Sequence, residues 1–352
     1  MTWYVRLWKF ITLAHGAGGK ETEELVENLI VSKVPPELRR VEGGAGLDAL
    51  DDSALIPLPD GRYLAVTVDS YTVKPIFFPG GDLGRLAASG TINDLLMAGA
   101  RPVAALDAVV VEEGFPIEDF NRIIGSYVDT LRENGVALIG GDFKTMPKGQ
   151  LDGIVISSTG IGIAEHPIID RNIKPGDKII VSGPLGDHGA AILAAQQAVG
   201  VDLGVESDVK PLTDLMLPLL ERHHDAIHGA GDPTRGGLAM LANDWAKKTG
   251  TVIVIEEERV PIRPQVKEYA EMLGVDPLSL ASEGAAVLAV DPEAAEEVLR
   301  EIHRLGYREA SIVGQVYEAR DPAHAGRVLL KSVTGGVRIL EPPSGEIVPR
   351  IC

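Results

Sequence analysis

Acidic side chains in this chain recur at points where strands end and helices turn, so that a sheet could aim them into a shared cleft. Asp51-Asp52 precedes Ser53-Ala54, and Asp69 closes the run Ala65-Val66-Thr67-Val68. Asn93-Asp94 interrupts an otherwise apolar helical pattern, Asp142 follows Gly140-Gly141, and Asp232 opens Asp232-Pro233-Thr234-Arg235-Gly236-Gly237. Any one of these reads as an ordinary cap or turn residue. Together they read as a hard-cation site. Converging carboxylates repel one another unless a divalent ion such as Mg2+ lies between them, and Mg2+ takes oxygen ligands shared with nucleotide phosphates.

Two glycine-rich segments supply the complementary half of a phosphate site. His15-Gly16-Ala17-Gly18-Gly19-Lys20 exposes backbone N–H groups beside a lysine and directly precedes a helical pattern. Gly140-Gly141-Asp142-Phe143-Lys144 is expected to end a buried strand, where glycine lets a ligand approach the backbone. Ordinary tight turns account equally well for both, and His15 reads equally well as a capping side chain. The usual nucleotide fingerprints are missing. There is no G-x-x-x-x-G-K-[ST], and Gly44-Ala45-Gly46-Leu47-Asp48-Ala49 follows no convincing strand.

The remaining reactive group is one sulfur. Cys352 is the only cysteine and the last residue, which excludes an intramolecular disulfide and any multi-cysteine metal site. The stretch Glu341 to Cys352 (EPPSGEIVPRIC) carries three prolines and a glycine, which forbid a helix and favour an extended arm. Most chain ends are merely frayed. A sole cysteine at the extreme terminus is hard to explain by packing, and the stretch that bears it reads as a tether.

The elements that must position these groups alternate between short β-branched runs and longer helical patterns, the signature of α/β or α+β layers. The pattern predicts strands over Tyr63–Val68, Val103–Val111, Val136–Ile139 and Gly153–Ile163, with helices over Asp82–Met97 and Pro116–Glu133. In the second helix Ile117, Phe120, Ile123, Ile124, Tyr127, Val128 and Leu131 recur at three- and four-residue steps. Pro167, Pro175 and Gly176 mark a boundary near Ala164–Asp177. A second unit follows, with strands over Lys178–Ser182, Thr251–Ile255, Ala285–Val290 and Ile312–Tyr317. Its helices are predicted over Gly189–Val199, Gly237–Lys248, Pro264–Leu273 and Pro292–Leu305. The expected organisation is a glycine-rich segment (1–50), a first α/β domain (51–164), a second α/β domain (165–341) and a mobile tail (342–352).

A chain of 352 residues supports two cores. A net charge of -18 with no basic cluster argues against nucleic acid as a partner, and means that phosphates require recruited cations. No apolar run approaches the ~20 residues of a membrane helix, and Met1–Leu13 lacks a signal-peptide cleavage site, so a cytoplasmic protein with no membrane partner is expected. Sparse Asn, Gln and Met beside abundant Glu, Arg and Pro point to a heat-adapted source.

Spaced together, His15-Gly-Ala-Gly-Gly, Asp51-Asp52-Ser-Ala, Thr67-Val-Asp69-Ser70, Asn93-Asp94, Gly140-Gly-Asp142-Phe-Lys144, Gly186-Asp-His188-Gly and Asp232-Pro-Thr-Arg235-Gly-Gly resemble the aminoimidazole ribonucleotide synthetase superfamily. Within it, the run from Tyr71 to Arg85 and the ending Pro349-Arg350-Ile351-Cys352 resemble the HypE family of hydrogenase-maturation proteins. The match runs from His15 to Cys352, and the terminal Pro-Arg-Ile-Cys is its most specific part. Met1–Leu13 departs from it, since the family's chain is expected to begin close to the His-Gly motif.

The resemblance implies two α/β subdomains, the first joining its sheet to that of a second copy in a homodimer with nucleotide sites near the interface. It implies carbamoyl transfer to the terminal cysteine by a HypF-like carbamoyltransferase. ATP-driven dehydration of the thiocarbamate to a thiocyanate follows, and then delivery of cyanide to a HypC–HypD-like iron-binding complex that builds the [NiFe]-hydrogenase centre. Carried onto this sequence, Cys352, Glu283, Lys144 and His15 are the expected catalytic residues. Gly18, Gly19, Lys20, Thr67, Asn93, Gly140, Gly141, Asp142 and Thr234 are expected at ATP, and Asp52, Asp69, Asp94 and Asp232 at Mg2+. Glu283, in Ala281-Ser282-Glu283-Gly284, is the expected base, and Lys144 the group that holds phosphate or orients the amide. The alternatives are another ATP-using superfamily member, namely selenophosphate synthetase, aminoimidazole ribonucleotide synthetase or thiamine-phosphate kinase, or a non-catalytic scaffold whose tail docks a partner. Selenophosphate synthetases typically carry a reactive Cys or selenocysteine near the start, which this chain lacks.

Overall fold

The computed structural model describes residues 8–196, 200, 204–345, 348 and 350–352. The first sheet has five strands in the order β1-β2-β5-β3-β4: β1 (Ala54–Pro57), β2 (Tyr63–Tyr71), β3 (Arg101–Glu112), β4 (Ala137–Met146) and β5 (Ile154–Ala164). All neighbours are antiparallel except β3 and β4, which run parallel because the helix α2 (Ile117–Glu133) crosses between them.

One face of this sheet is covered by α1 (Leu83–Met97) and α2. Their characters differ in the way the sequence foretold. α2 is amphipathic and buries Ile123, Tyr127 and Leu131 against the sheet. α1 is buried all round except at Arg85, since its other side meets the second domain through the helix Thr213–His223 and the strand Ile227–Gly231. Asn93 and Asp94 therefore sit in the seam between the domains.

The second sheet has seven strands in the order β12-β11-β8-β10-β6-β9-β7. These are β6 (Lys178–Val181), β7 (Ile227–Gly231), β8 (Val252–Glu256), β9 (Val287–Val290), β10 (Ser311–Tyr317), β11 (Arg327–Lys331) and β12 (Val337–Ile339). Only β8 and β11 run parallel. The helices are α3 (Asp187–Ala195), α4 (Thr213–His223), α5 (Gly237–Thr249), α6 (Pro264–Leu273) and α7 (Ala295–Arg304).

Both domains contain mixed helices and sheets, as expected. The differences have local causes. α4 escaped the sequence reading because Pro218 lies inside it, and β7 because two of its five residues are glycine. β1, β11 and β12 are also not among the predicted strands. The helix expected over Gly189–Val199 starts at Asp187 and runs to Ala195, and 197–199 lie outside the described residues. The expected end of a buried strand at Gly140-Gly141 is corrected: β4 runs through to Met146 as an exposed edge strand, because nothing pairs beyond it.

Close packing of α1 on α2 depends on Gly84, where an added Cβ would lie 1.9 Å from the Ile123 carbonyl oxygen and 2.9 Å from the Tyr127 nitrogen. Gly84→Ala must separate two closely packed helices, and is expected to destabilise the protein by about 2 kcal/mol, read as a lower denaturation midpoint.

Candidate active site

The site forms where α1, the end of β2 and two loops of the second domain meet. Asp94 is buried and its Oδ2 accepts a hydrogen bond of 2.7 Å from the Thr67 hydroxyl, while the Ser53 hydroxyl donates to its carbonyl oxygen at 3.0 Å. Asp69 lies two residues beyond Thr67 on the same face of β2. From the second domain, Asp232 and Glu283 are buried, with Asp232 Oδ2 and Glu283 Oε1 accepting no hydrogen bond from a described residue.

The electrostatics show that these groups form one cluster. Burial, then Asp232, then Asp208 push the Glu283 carboxyl far above the usual range, against the pull of the Arg235 guanidinium. Burial, then Asp69, Asp232 and Asp52 do the same to Asp94. Burial raises Asp52, with Asp232 and Asp170 adding to it. Burial, reinforced by Asp69, brings Asp232 up to about 7. Burial also raises Asp69, opposed by Arg235.

The chain's own tail enters this cluster. Ile351 and Val348 are buried in the main core, and Cys352 packs partly buried against it. The Lys74 N–H donates to the Arg350 carbonyl at 2.9 Å, the Arg350 Nε donates to the Thr72 carbonyl at 2.8 Å, and the Thr72 hydroxyl donates to the Cys352 carbonyl at 3.3 Å. Burial pushes the Cys352 thiol up to about 12; Arg235 pulls it down, and Glu283, Asp69 and Asp232 push it further. Cys352 thus lies within electrostatic reach of the expected base and of two of the expected metal ligands.

The glycine loop meets both the tail and the Asp232 loop. An added Cβ on Gly18 (φ +73°) would lie 2.1 Å from Arg235 Cβ, and one on Gly19 would lie 2.4 Å from the Pro343 carbonyl oxygen. The Lys20 N–H donates to that same oxygen at 2.9 Å. Gly18, Gly19, Thr234, Arg235, Lys247 and Lys248 line a cavity of about 470 Å3.

Four expectations are changed by the structure. Asn93, expected at ATP, has its side-chain amide committed elsewhere: Oδ1 accepts from Leu212 N–H at 2.8 Å, and Nδ2 donates to the carbonyls of Lys210 at 3.2 Å and Glu283 at 3.4 Å. His15 is the capping side chain that the sequence left open, since its Nδ1 accepts from Thr12 N–H at 3.0 Å. Asp52, Asp69, Asp94 and Asp232 share a field, but no group of three or more His, Cys, Asp or Glu among the described residues is drawn together tightly enough to hold a metal by itself.

The fourth concerns Gly140, Gly141, Asp142 and Lys144, which the structure does not bring to the cluster. Asp69 pairs across the sheet with Ser158, Ser158 with Asp107, and Asp107 with Gly141. Gly141 is therefore three strands from Asp69, about 14 Å at ordinary spacing. Asp142 and Lys144 are offset from Gly141 by odd numbers of residues and point to the opposite, uncovered face, where they pair with each other at 2.7 Å. Sequence proximity to a glycine pair could not reveal that parity. Two participants went unassigned although their motifs were visible, Arg235 in Asp-Pro-Thr-Arg and His188 in Gly-Asp-His-Gly.

Residues 50–164 match the AIR synthase related protein N-terminal domain, and residues 174–325 match the AIR synthase related protein C-terminal domain. A hydrogenase expression/formation protein of Methanocaldococcus jannaschii is 44% identical over 97% of this chain and 99% of its own length. The carbamoyl dehydratase HypE of Cupriavidus necator is 38% identical over 97% of this chain and 95% of its own. The chain belongs to the HypE carbamoyl dehydratase family. Solved HypE structures agree in fold: one in a HypE–HypF complex gives a TM-score of 0.81 at 37% identity, covering 91% of this chain and 99% of that one. A HypE in complex with ATP gives 0.78 at 36% identity, covering 97% and 100%. No described helix is long and apolar enough to cross a membrane.

The raised carboxyls of this HypE-family site set a pH dependence. Between the ordinary Asp value and about 7, folded Asp232 holds a proton that the unfolded chain has released, so stability falls as pH rises through that window. Asp232→Asn removes this loss. Without divalent cations its Tm is expected to match wild type near pH 4 and to exceed it by on the order of 5 °C at pH 8, read by calorimetry at both pH values.

Proposed function

We propose that the protein uses ATP to dehydrate a carbamoyl group carried on Cys352 sulfur, giving a thiocyanate whose cyanide is passed on to hydrogenase iron. The carrying observation is the docked tail, which brings the only thiol of the chain into the field of Glu283, Arg235, Asp69 and Asp232.

The amide oxygen of a thiocarbamate is a poor leaving group. Transfer of the ATP γ-phosphoryl to that oxygen, with release of one of the two N–H protons to water, frees ADP and leaves a phosphorylated imidate on sulfur. Loss of an N–H proton and of phosphate then completes S–C≡N. Positioning and charge neutralisation supply most of such a phosphoryl transfer. Glu283 takes the N–H proton: its burial brings its basicity towards that of a competent general base, and its Oε1 has no described partner to displace. Arg235 steadies negative charge on the departing phosphate. The cavity beside Gly18, Gly19 and Thr234 has room for nucleotide, with Lys247 and Lys248 on its wall.

The donor set fits Mg2+. Asp52, Asp69, Asp94 and Asp232 would hold it, and the unsatisfied Asp232 Oδ2 and mutual repulsion of the cluster are what a cation relieves. Mg2+ uses few protein carboxylates and completes its shell with phosphate oxygens and water, which agrees with a cluster too loose to hold metal alone. Bound there, it supplies charge neutralisation at the phosphates.

The uncovered face of the first sheet carries exposed Val68, an apolar surface that pairing with a second copy would cover. Within one chain Lys144 has no route to Glu283, so any part it takes in the reaction comes from a homodimer partner. Loading is by a HypF-like carbamoyltransferase, and delivery is to a HypC–HypD-like iron complex.

Intact mass of the C-terminal peptide after incubation with the carbamoyltransferase, carbamoyl phosphate and ATP tests the reading. Wild type gains a carbamoyl group and then loses one water; Cys352→Ala gains nothing and keeps its Tm. Glu283→Gln is expected to load normally and to lose the water at least about 100-fold more slowly. Loss of water at the wild-type rate in Glu283→Gln removes the assigned base. Calorimetry of ATP binding is expected to show sharp weakening by chelator and by Asp69→Asn; equal affinity with and without chelator overturns the cation's role.

A further inference from the structure

His188 holds the last peptide of the tail. It is the second residue of α3, fully buried, and its Nε2 lies 2.8 Å from the Ile351 carbonyl oxygen. Its Nδ1 lies 2.7 Å from the Ser207 hydroxyl oxygen. A carbonyl can only accept, so Nε2 carries the proton and donates. Burial keeps the imidazole neutral, lowering it to about 4, which leaves Nδ1 as the acceptor of the Ser207 hydroxyl proton. Ser207 is itself fixed, since its N–H donates to the Pro79 carbonyl at 2.9 Å and its Oγ accepts from Val209 N–H at 3.1 Å. The ring of Phe78 packs edge-on against the imidazole at 5.4 Å.

We propose that His188, oriented by Ser207 and Phe78, is a positioning residue that latches the tail by the Ile351 carbonyl and so places Cys352 for the reaction. The inference rests on the function proposed above, but the latch itself is a statement about binding. Its recognition is of backbone, and one residue later the chain ends in the thiol, so a fixed carbonyl leaves the sulfur few places to go. Ile351 seats its side chain in the core, which supplies affinity without direction; the His188 hydrogen bond supplies direction. The pocket draws on both domains, since Phe78 and Pro79 belong to the turn before α1 and His188 opens α3. Release of the tail requires breaking a hydrogen bond that is shielded from water, while Arg350 holds on through Thr72 and Asp152 at the surface.

The test compares His188→Leu, which has no donor, with His188→Gln, whose amide can donate from nearly the Nε2 position. Alkylation of Cys352 by iodoacetamide in full-length protein without nucleotide reads tail docking independently of any chemistry. His188→Leu is expected to raise its rate about tenfold, the factor that one net hydrogen bond represents, and His188→Gln to restore protection. On protein already carbamoylated at Cys352, the first-order rate of water loss under saturating ATP is expected to fall about tenfold in His188→Leu and to recover in His188→Gln. Should His188→Leu fail to fold, Ser207→Ala, which frees Nδ1 and unfixes the ring, must show the same exposure of the thiol. Wild-type alkylation rates in both His188→Leu and Ser207→Ala overturn the latch. If wild type forms no cyano product while the alkylation pattern holds, the latch stands and the dehydration reading falls.

Discussion

The side-chain amide of Asn93 makes three hydrogen bonds across the domain seam, to the backbone of Leu212, Lys210 and Glu283, and the geometry of the site hangs on them. Asn93 and Asp94 are consecutive on a helix that is buried on both sides. The amide therefore fixes where Glu283 stands relative to Asp94 and, through the Thr67 hydroxyl, relative to β2. A buried amide satisfied on both its oxygen and its nitrogen specifies one arrangement, because every alternative strands a polar group in a dry interface. Asp208 works from the other side of the same loop, accepting from the N–H groups of Glu283 at 3.0 Å and Gly284 at 3.2 Å.

That rigidity is what permits so many like charges to be held together. Asp52, Asp69, Asp94, Asp232 and Glu283 raise one another's proton affinity, which is a folding cost in the absence of a cation and a binding advantage in its presence. Lys248 relieves part of the cost at the margin, donating to Asp51 at 2.8 Å and Asp170 at 2.9 Å. Among the described residues Arg235 is the cation that acts on Glu283, Asp69 and Cys352 at the centre, so the field there favours a dication bound to phosphate over another side chain.

The tail resolves a conflict between reactivity and placement. A thiol held inside the cluster is a poor nucleophile, because burial and the neighbouring carboxylates disfavour the thiolate. Under the proposed function, reactions that need a thiolate suit a tail held away from the cluster, whereas dehydration of a group already on sulfur needs no thiolate and suits the docked one. Docking relies on backbone hydrogen bonds and the side chains of Val348 and Ile351, and gives the sulfur no hydrogen-bond partner among the described residues.

The sequence by itself determined the layered two-domain architecture, the helical positions of Asn93 and Asp94, and the candidacy of Cys352, Asp69 and Asp232, because strand and helix periodicity and motif spacing are local properties; Glu283 became a candidate only through the family resemblance. It could not assign Asn93 to the seam, since an amide that binds nucleotide and one that clasps backbone look alike in a motif. Nor could it place Lys144: the side of a sheet that a residue faces depends on the register of four strands, and register is set by pairing between segments dozens of residues apart. The glycine loop, Arg235, His188 and the tail come from four separate stretches of chain. Their meeting was decided by tertiary packing alone, because only the closed seam buries Ile351 and brings the last residue of the chain beside Glu283.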